Sequence, residues 1–144
     1  MEKEIFPPMH TAQHLINQAM VRMFGCGRSF SDHIEKKKSK LDYYFERNLT
    51  DDDLRKIEAE VNKNIKENLE VFEIFISIDE AEEKYNLSRI NGEIGDKVRI
   101  IKIGDYDAAP CKGPHVQNTK EIGELKIISS DYNDGVLRLR YKLV

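Results

Sequence analysis

The sequence has few cysteines, no long apolar run and no excess of basic charge. Its two cysteines, Cys26 and Cys111, are far apart and form no disulfide framework like those of small secreted proteins. The most apolar stretch, residues 71–78, contains Glu73 and is too short to span a bilayer, which takes about 20 residues. The sequence also lacks a charged start followed by an apolar segment, which is the pattern that indicates secretion. We therefore expect a cytoplasmic protein without a membrane segment.

The net charge of −3 also lacks the basic excess that is typical of proteins that bind nucleic acids. Charge is segregated along the chain instead. Lysines are concentrated in residues 36–40, and acidic residues in 51–53 and 80–83. A lysine run of this kind can be a solvated turn or a phosphate-binding patch, so composition leaves both interpretations open.

The length of 144 residues suits one domain, 1–144, with a sizeable core. Pro7 and Pro8 suit a helix entrance, and the apolar residues that follow predict a helix over residues 9–24. Thr50 and Asp53 resemble a capping box and introduce a second amphipathic helix, whose apolar face carries Leu54, Ile57, Val61, Ile65 and Leu69. A short helix is predicted over residues 79–85.

Strands are predicted between and after these helices, at residues 28–33, 41–46, 71–78, 97–103, 125–129 and 136–143. The lysine run would form the tip of the first hairpin. Asn133, Asp134 and Gly135 contain a strong hairpin turn signal. The prediction is an α+β domain, with a mainly antiparallel sheet packed with two main helices.

Two short motifs carry the chemistry of the chain. His10 and His14 lie four residues apart on the first predicted helix, so both imidazoles project from one face. This spacing alone is weak evidence, but Cys111 and His115 add a thiolate and an imidazole in a tight Gly-Pro loop. Together the two pairs make a tetrahedral donor set suited to zinc. We therefore predict one Zn²⁺ per chain.

The residues around these ligands narrow the chemistry. Thr11, Ala12 and Gln13 separate the two histidines, so the glutamate of the H-E-x-x-H motif of metalloproteases is missing and a peptidase is disfavoured. Asp105 and Asp107, just before the cysteine, could accept the second N–H of a ligand histidine, as carboxylates near metals commonly do. A role in a turn is an equal alternative.

The segments HTAQHL at 10–15 and CKGPHV at 111–116 resemble the paired signatures of the editing domain that alanyl- and threonyl-tRNA synthetases share. The flanking segments KIGDY at 102–106 and NTKEIG at 118–123 are similar to that family as well. The resemblance covers nearly the whole chain and is closest to the short, free-standing AlaX-type trans-editing factors.

The resemblance implies a hydrolase that needs no ATP and that cleaves the ester between a noncognate amino acid and the 3′ end of tRNA. The substrates implied are serine, and also glycine, on the alanine tRNA. His10, His14, Cys111 and His115 would act through zinc, which would activate a water or polarise the ester carbonyl. Such editing is needed because a synthetase pocket rejects an added hydroxyl only weakly.

Alternatives remain at this point. The segment 113–115, Gly-Pro-His, is similar to the threonyl form, whereas 121–123, Glu-Ile-Gly, is closer to the alanyl form, so deacylation of Ser-tRNA(Thr) is an alternative. Four protein ligands also describe a closed structural zinc site, which would suit a noncatalytic tRNA-binding module. The motifs by themselves are also compatible with a metal-dependent hydrolase of a small ester or amide.

The expected partner is the acceptor end of a tRNA that carries a noncognate amino acid. The resemblance places a polar contact to that amino acid at Ser31, for which an ordinary strand serine is the alternative. Lys112 is the best placed of the candidate phosphate contacts, which also include Lys36, Lys37, Lys38, Lys40 and Lys120.

Overall fold

The structure is a computed structural model that describes residues 6–87 and 96–144. Its helices are α1 (Pro7–Phe24), α2 (Asp51–Lys66) and α3 (Ile78–Lys84), with a short 3₁₀ helix at Thr119–Ile122. Its strands are β1 (Ser31–His33), β2 (Ser39–Tyr44), β3 (Val71–Ser77), β4 (Lys97–Ile103), β5 (Asp107–Pro110), β6 (Leu125–Asn133) and β7 (Val136–Leu143).

The strands of the described residues form two sheets. One has the order β1-β2-β7-β6 and the other the order β3-β4-β5, and every neighbouring pair is antiparallel. The predicted α+β class is thereby confirmed. The strands are divided between two sheets, where the sequence predicted one. No helix in the described part of the chain is long and apolar enough to cross a membrane.

Helix α1 begins two residues before the predicted start, because Pro7 has the fixed φ that suits the first helical turn. It ends at Gly25, whose φ of 67° is left-handed and whose N–H donates to the Val21 carbonyl. Most of its residues are buried, including Leu15, Ile16 and Met20 in the main core. The helix is therefore held firmly along its length, and this fixes the direction of its polar side chains.

Helix α2 begins with the predicted capping box. The Thr50 hydroxyl accepts from the Asp53 N–H at 3.1 Å, and the Asp53 carboxylate accepts from the Thr50 N–H at 2.9 Å. The predicted apolar face is buried at Leu54, Ile57, Val61 and Ile65, where it joins α1 and the four-stranded sheet in one core.

The β6–β7 hairpin turns at the predicted place. Asp134 and Gly135 both have positive φ, at 49° and 83°, as a two-residue type I′ turn requires. Strand β6 continues past the predicted residue 129 to Asn133. The prediction was too short because a register shift between Ile127 and Ser129 interrupts the alternation of polar and apolar residues.

The three-stranded sheet leads into the loop that contains two of the predicted metal ligands, Cys111 and His115. β4 lies at the predicted residues, whereas β5 was not predicted. β5 pairs with β4 and leads directly into the loop with Cys111, so the loop is anchored to the sheet on one side. Contacts of β5 and the 3₁₀ helix with α1 bring this loop next to the first turns of α1.

Candidate metal centre

Four side chains meet where α1 faces the loop after β5. They are His10, His14, Cys111 and His115, and their potential ligand atoms all lie within 4.8 Å of one another. Two come from consecutive turns of α1 and two from the loop. The structure thus brings together all four residues that the sequence predicted as ligands.

Two distances within this cluster are close to those expected around a single zinc ion. Cys111 Sγ lies 3.3 Å from His10 Nε2 and 3.4 Å from His115 Nε2. Tetrahedral bonds of about 2.3 Å to sulfur and about 2.0–2.1 Å to nitrogen would separate these atoms by roughly 3.6 Å. One thiolate and three imidazoles are also a donor set that zinc favours in proteins, so the residues fit the ion.

Outer hydrogen bonds direct two of the imidazoles toward the cluster. His10 Nδ1 lies 3.0 Å from the Pro114 carbonyl oxygen, which can only accept, so we assign the proton to Nδ1. His115 Nδ1 lies 2.9 Å from the Thr11 hydroxyl, which also accepts from the Val116 N–H at 3.2 Å. In each ring Nε2 is left as the inward-facing lone pair, as metal binding requires.

His14 has a carboxylate as its outer partner. Its Nδ1 lies 3.5 Å from Asp107 Oδ2, and the buried Asp107 is also held by Arg28 at 2.7 Å and Gln18 at 2.9 Å. Burial alone would raise the pKa of Asp107, but the adjacent His14 imidazole and the charge and hydrogen bonds of Arg28 lower that pKa to about 2. Of the two aspartates considered from the sequence, Asp107 contacts a cluster histidine, while Asp105 is exposed.

The charge states of Cys111 and His115 suit a metal, whereas the contacts with Asp107 and Cys111 outweigh burial and raise the pKa of His14. Burial alone would raise the pKa of the Cys111 thiol, but the close contacts with His10, His115 and His14 lower it to about 3. Burial, together with the neighbouring His14 and His10, lowers the pKa of His115 to about 4. Cys111 is therefore a thiolate and His115 a neutral imidazole near neutral pH, which are the forms that bind metal ions.

The loop passes so close to the His10 side chain that any larger residue at position 113 would displace the imidazole or the loop. A Cβ atom at Gly113 would lie 2.4 Å from His10 Cε1. Arg99 on β4 fixes the same loop, since its Nη1 donates to the Cys111 carbonyl at 3.1 Å and the Gly113 carbonyl at 2.9 Å. Its Nε also pairs with Glu73 on β3.

Sequence reasoning did not identify Thr11 or Arg99. The position of Thr11 inside the H-x₃-H segment is a signal that could have pointed to it, because a hydroxyl there lies on the side of the helix that carries the ligands. Arg99 gives no such signal, since its role depends on the pairing of β4 with β5.

The cluster opens onto a cleft of about 930 Å³, a volume within the usual range of ligand pockets. His10, His14 and Cys111 are among the residues that line it, and His115 is not. The other walls come from α1, from residues 27–30, from Asp32 and Tyr44, and from residues 85–86 and 108–113. Three of the four cluster side chains therefore face a space that a ligand can enter.

The predicted substrate contacts differ in their relation to this cleft. Lys112 lines it. Ser31 is half-buried in β1 opposite Asp42 and is not among the residues that line the cleft. Ser29 and Asp32, from the same segment of the chain, do line it. The exposed lysines at 36–38 occupy the connection between β1 and β2, as predicted.

Comparison with known proteins shows which family the chain resembles. Residues 98–140 match the model of the threonyl and alanyl tRNA synthetase second additional domain. The chain is 39% identical over 137 residues to the alanine–tRNA ligase of Aeropyrum pernix, covering 92% of this chain and 15% of that enzyme. It is 31% identical over 144 residues to the alanine–tRNA ligase of Borreliella burgdorferi, covering 94% of this chain and 23% of that enzyme.

A third relative, the alanine–tRNA ligase of Ligilactobacillus salivarius, is 36% identical over 132 residues, covering 90% of this chain and 15% of that enzyme. The chain thus spans less than a quarter of the length of these relatives. The family model covers Cys111 and His115 but not the histidine pair on α1. The alignments with the ligases extend over nine-tenths of the chain, and the resemblance inferred from the two motifs is confirmed.

Proposed function

Because this chain belongs to the family of alanyl- and threonyl-tRNA synthetase editing domains, we propose that it hydrolyses the ester bond between a noncognate amino acid and tRNA. The observation that carries this proposal is the cluster of His10, His14 and Cys111 in the wall of an open cleft. The cleft is large enough to admit an amino acid together with the ribose to which it is attached.

We propose that the four cluster residues hold one zinc ion. When bound, zinc supplies a positive charge that polarises an ester carbonyl and favours attack by water. The protein's part is to hold the donors in place: the Pro114 carbonyl and the Thr11 hydroxyl contact the outer nitrogens of His10 and His115, and Asp107 lies 3.5 Å from that of His14. Contacts with the histidines lower the pKa of Cys111 and favour its thiolate. Little rearrangement is then needed for the metal to bind.

The accessibility of the cluster supports a catalytic ion over a structural one. A structural zinc is closed off by four protein ligands, whereas a catalytic zinc keeps a position open to substrate. Here His10, His14 and Cys111 are among the residues that line the cleft, and His115 is not. An ester carbonyl could therefore approach from the cleft side.

The substrate that we propose is Ser-tRNA(Ala), with Gly-tRNA(Ala) as a second substrate of the same site. Lys112 at the cleft is the proposed phosphate contact. Ser31 is kept as the proposed partner of the serine hydroxyl, and Ser29, which lies in the cleft wall, is the competing assignment.

The function is tested by incubating the purified, zinc-loaded protein with seryl, glycyl, alanyl and threonyl esters of both the alanine and the threonine tRNA. We expect fast release of serine from the alanine tRNA, slower release of glycine and retention of alanine. Release of serine from the threonine tRNA alone would move the assignment to the threonyl branch. No release from any of the eight esters would refute the proposal.

The same assay distinguishes Ser31 from Ser29 as the residue that recognises the serine hydroxyl. If Ser31 recognises the hydroxyl, Ser31→Ala lowers the preference for seryl over glycyl ester by several-fold, since one hydrogen bond contributes about 0.5–1.5 kcal/mol. Loss of that preference in Ser29→Ala alone would place the contact at Ser29. Zinc content measured in both variants should match that of the parent protein.

A second candidate, a tRNA-binding module with a structural zinc, is favoured by the complete set of four donors. Removal of zinc by a chelator separates the two candidates. We expect the metal-free protein to keep its helical circular dichroism and to lose deacylation, because the main core is made chiefly of apolar side chains outside the metal cluster. Global unfolding on chelation would favour the structural role.

A further inference from the structure

Two aromatic rings are stacked in the wall of the cleft. The rings of Phe30 and Tyr44 are 4.0 Å apart between centroids and only 12° from parallel, and both residues line the cleft that contains the metal cluster. Tyr44 is 71% exposed, whereas the tyrosines Tyr43 and Tyr141 are completely buried. We call Phe30 and Tyr44 the aromatic platform.

The backbone holds this platform in place before any ligand arrives. The N–H of Phe30 donates to the Asp42 carbonyl at 2.9 Å, next to the first pair of the β1–β2 ladder. Tyr44 is the last residue of β2 and pairs with Val136 of β7. A rigid, exposed ring loses little conformational entropy on binding, so a flat partner that covers it is bound efficiently.

The substrate class of the proposed function has a flat group at the right place. In an aminoacyl-tRNA the ester joins the amino acid to the terminal ribose, and the same ribose carries the terminal adenine. Because His10, Cys111, Phe30 and Tyr44 line one cleft, an ester carbonyl at His10 and Cys111 brings this base into the space that the platform borders. Serine and glycine side chains are too small to cover a tyrosine ring.

We propose that the aromatic platform stacks against the terminal adenine of the tRNA and so positions the ester at the metal cluster. This inference rests on the proposed function and adds a binding site for the base. Stacking of a base on an aromatic side chain increases affinity roughly tenfold and depends little on which base is bound. The platform would hold the acceptor end of either tRNA equally well and would leave selection to other contacts.

Binding is tested with an RNA hairpin that ends in 2-aminopurine, a fluorescent base whose emission falls on stacking. The protein contains no tryptophan, so its own emission does not interfere. We expect quenching with the parent protein and with Tyr44→Phe, and about tenfold weaker binding with little quenching for Tyr44→Leu. Phe75→Leu is the matched control, because Phe75 is 56% exposed on β3 and does not line the cleft. Equal quenching in Tyr44→Leu would overturn the proposal.

Catalysis gives a second, independent test. Seryl-tRNA with its normal end is compared with a form whose terminal ribose has no base, in the parent protein and in Tyr44→Leu. We expect either change to raise KM about tenfold with kcat nearly kept. The two changes together should raise KM no further than either one alone, because they remove the same contact. Additive losses, or equal KM for both substrates in the parent protein, would overturn the platform. Absence of hydrolysis in the parent protein would instead refute the proposed function, and the fluorescence test would still decide the stacking.

Discussion

The cleft has two walls that are built in different ways. The donor wall consists of His10, His14 and Cys111, and in it the histidines are no more than 7% exposed and each has a second partner behind it. In the aromatic wall, formed by Phe30 and Tyr44, the outer ring is 71% exposed. Donor atoms of a metal site must be placed to within fractions of an ångström, whereas a stacking surface tolerates small displacements. We therefore expect substitutions to cost most in the donor wall and least at the rim.

The largest loss is expected from Cys111→Ala, because it removes the only thiolate of the cluster. Zinc content should fall from about one ion per chain to a small fraction, and deacylation of seryl-tRNA should fall to the rate without protein. Metal analysis and single-turnover assays measure the two effects. Cys26→Ala is the matched control, since Cys26 lies outside the cluster, and it should retain both. Normal zinc content in Cys111→Ala would exclude Cys111 as a ligand.

The next largest effect is expected from Gly113→Ala. The added methyl group would lie 2.4 Å from His10 Cε1, so the imidazole or the loop has to move. His10 would then lose its alignment with the Pro114 carbonyl, and zinc affinity should fall by about 10–100-fold, as it does when outer partners of metal ligands are removed. Competition with a coloured chelator measures the affinity. Gly27→Ala is the control, because no atom lies within 4 Å of the new methyl group. Equal affinity in the two variants would contradict the close contact.

A smaller effect in the same wall is expected from Thr11→Val, which keeps the shape of the side chain and removes its oxygen. The N–H groups of His115 and Val116 then lose a buried acceptor, so stability should fall by about 1–3 kcal/mol and zinc affinity should fall as well. Thr11→Ser restores the oxygen and should recover most of the affinity. A purely structural role for Thr11 would lower the melting temperature in Thr11→Val and leave the zinc affinity of the folded protein unchanged.

The difference between the walls also explains what could be predicted from the sequence. The clustering of the candidate donor residues could be predicted because zinc accepts few residue types, and because the helical spacing of His10 and His14 fixes their geometry locally. Helix α2 was equally clear, since Thr50 and Asp53 form a local cap that precedes a regular apolar face. In each case the information lies within a few residues of sequence.

Features that depend on distant pairing were missed. β5 has the sequence Asp-Ala-Ala-Pro, which has little strand propensity, and it forms because β4 lies alongside it. For the same reason the division into two sheets could not be predicted. The stacking of Phe30 on Tyr44 is a contact between separate segments, and aromatic residues occur equally in strands and cores, so no motif indicates it.

The smallest effect is expected at the cleft rim from Lys112→Ala. Lys112 is exposed, so salt screens its charge and one phosphate contact contributes little to binding. We expect KM for seryl-tRNA to rise a few-fold with kcat and zinc content unchanged, and the slope of log affinity against log salt to become shallower by about 0.7–0.9. Lys126→Ala, an exposed lysine on β6 outside the cleft lining, should leave that slope unchanged. If Lys112→Ala kept the parental salt slope but bound less zinc, Lys112 would act by shaping the metal-binding loop and would not be a phosphate contact.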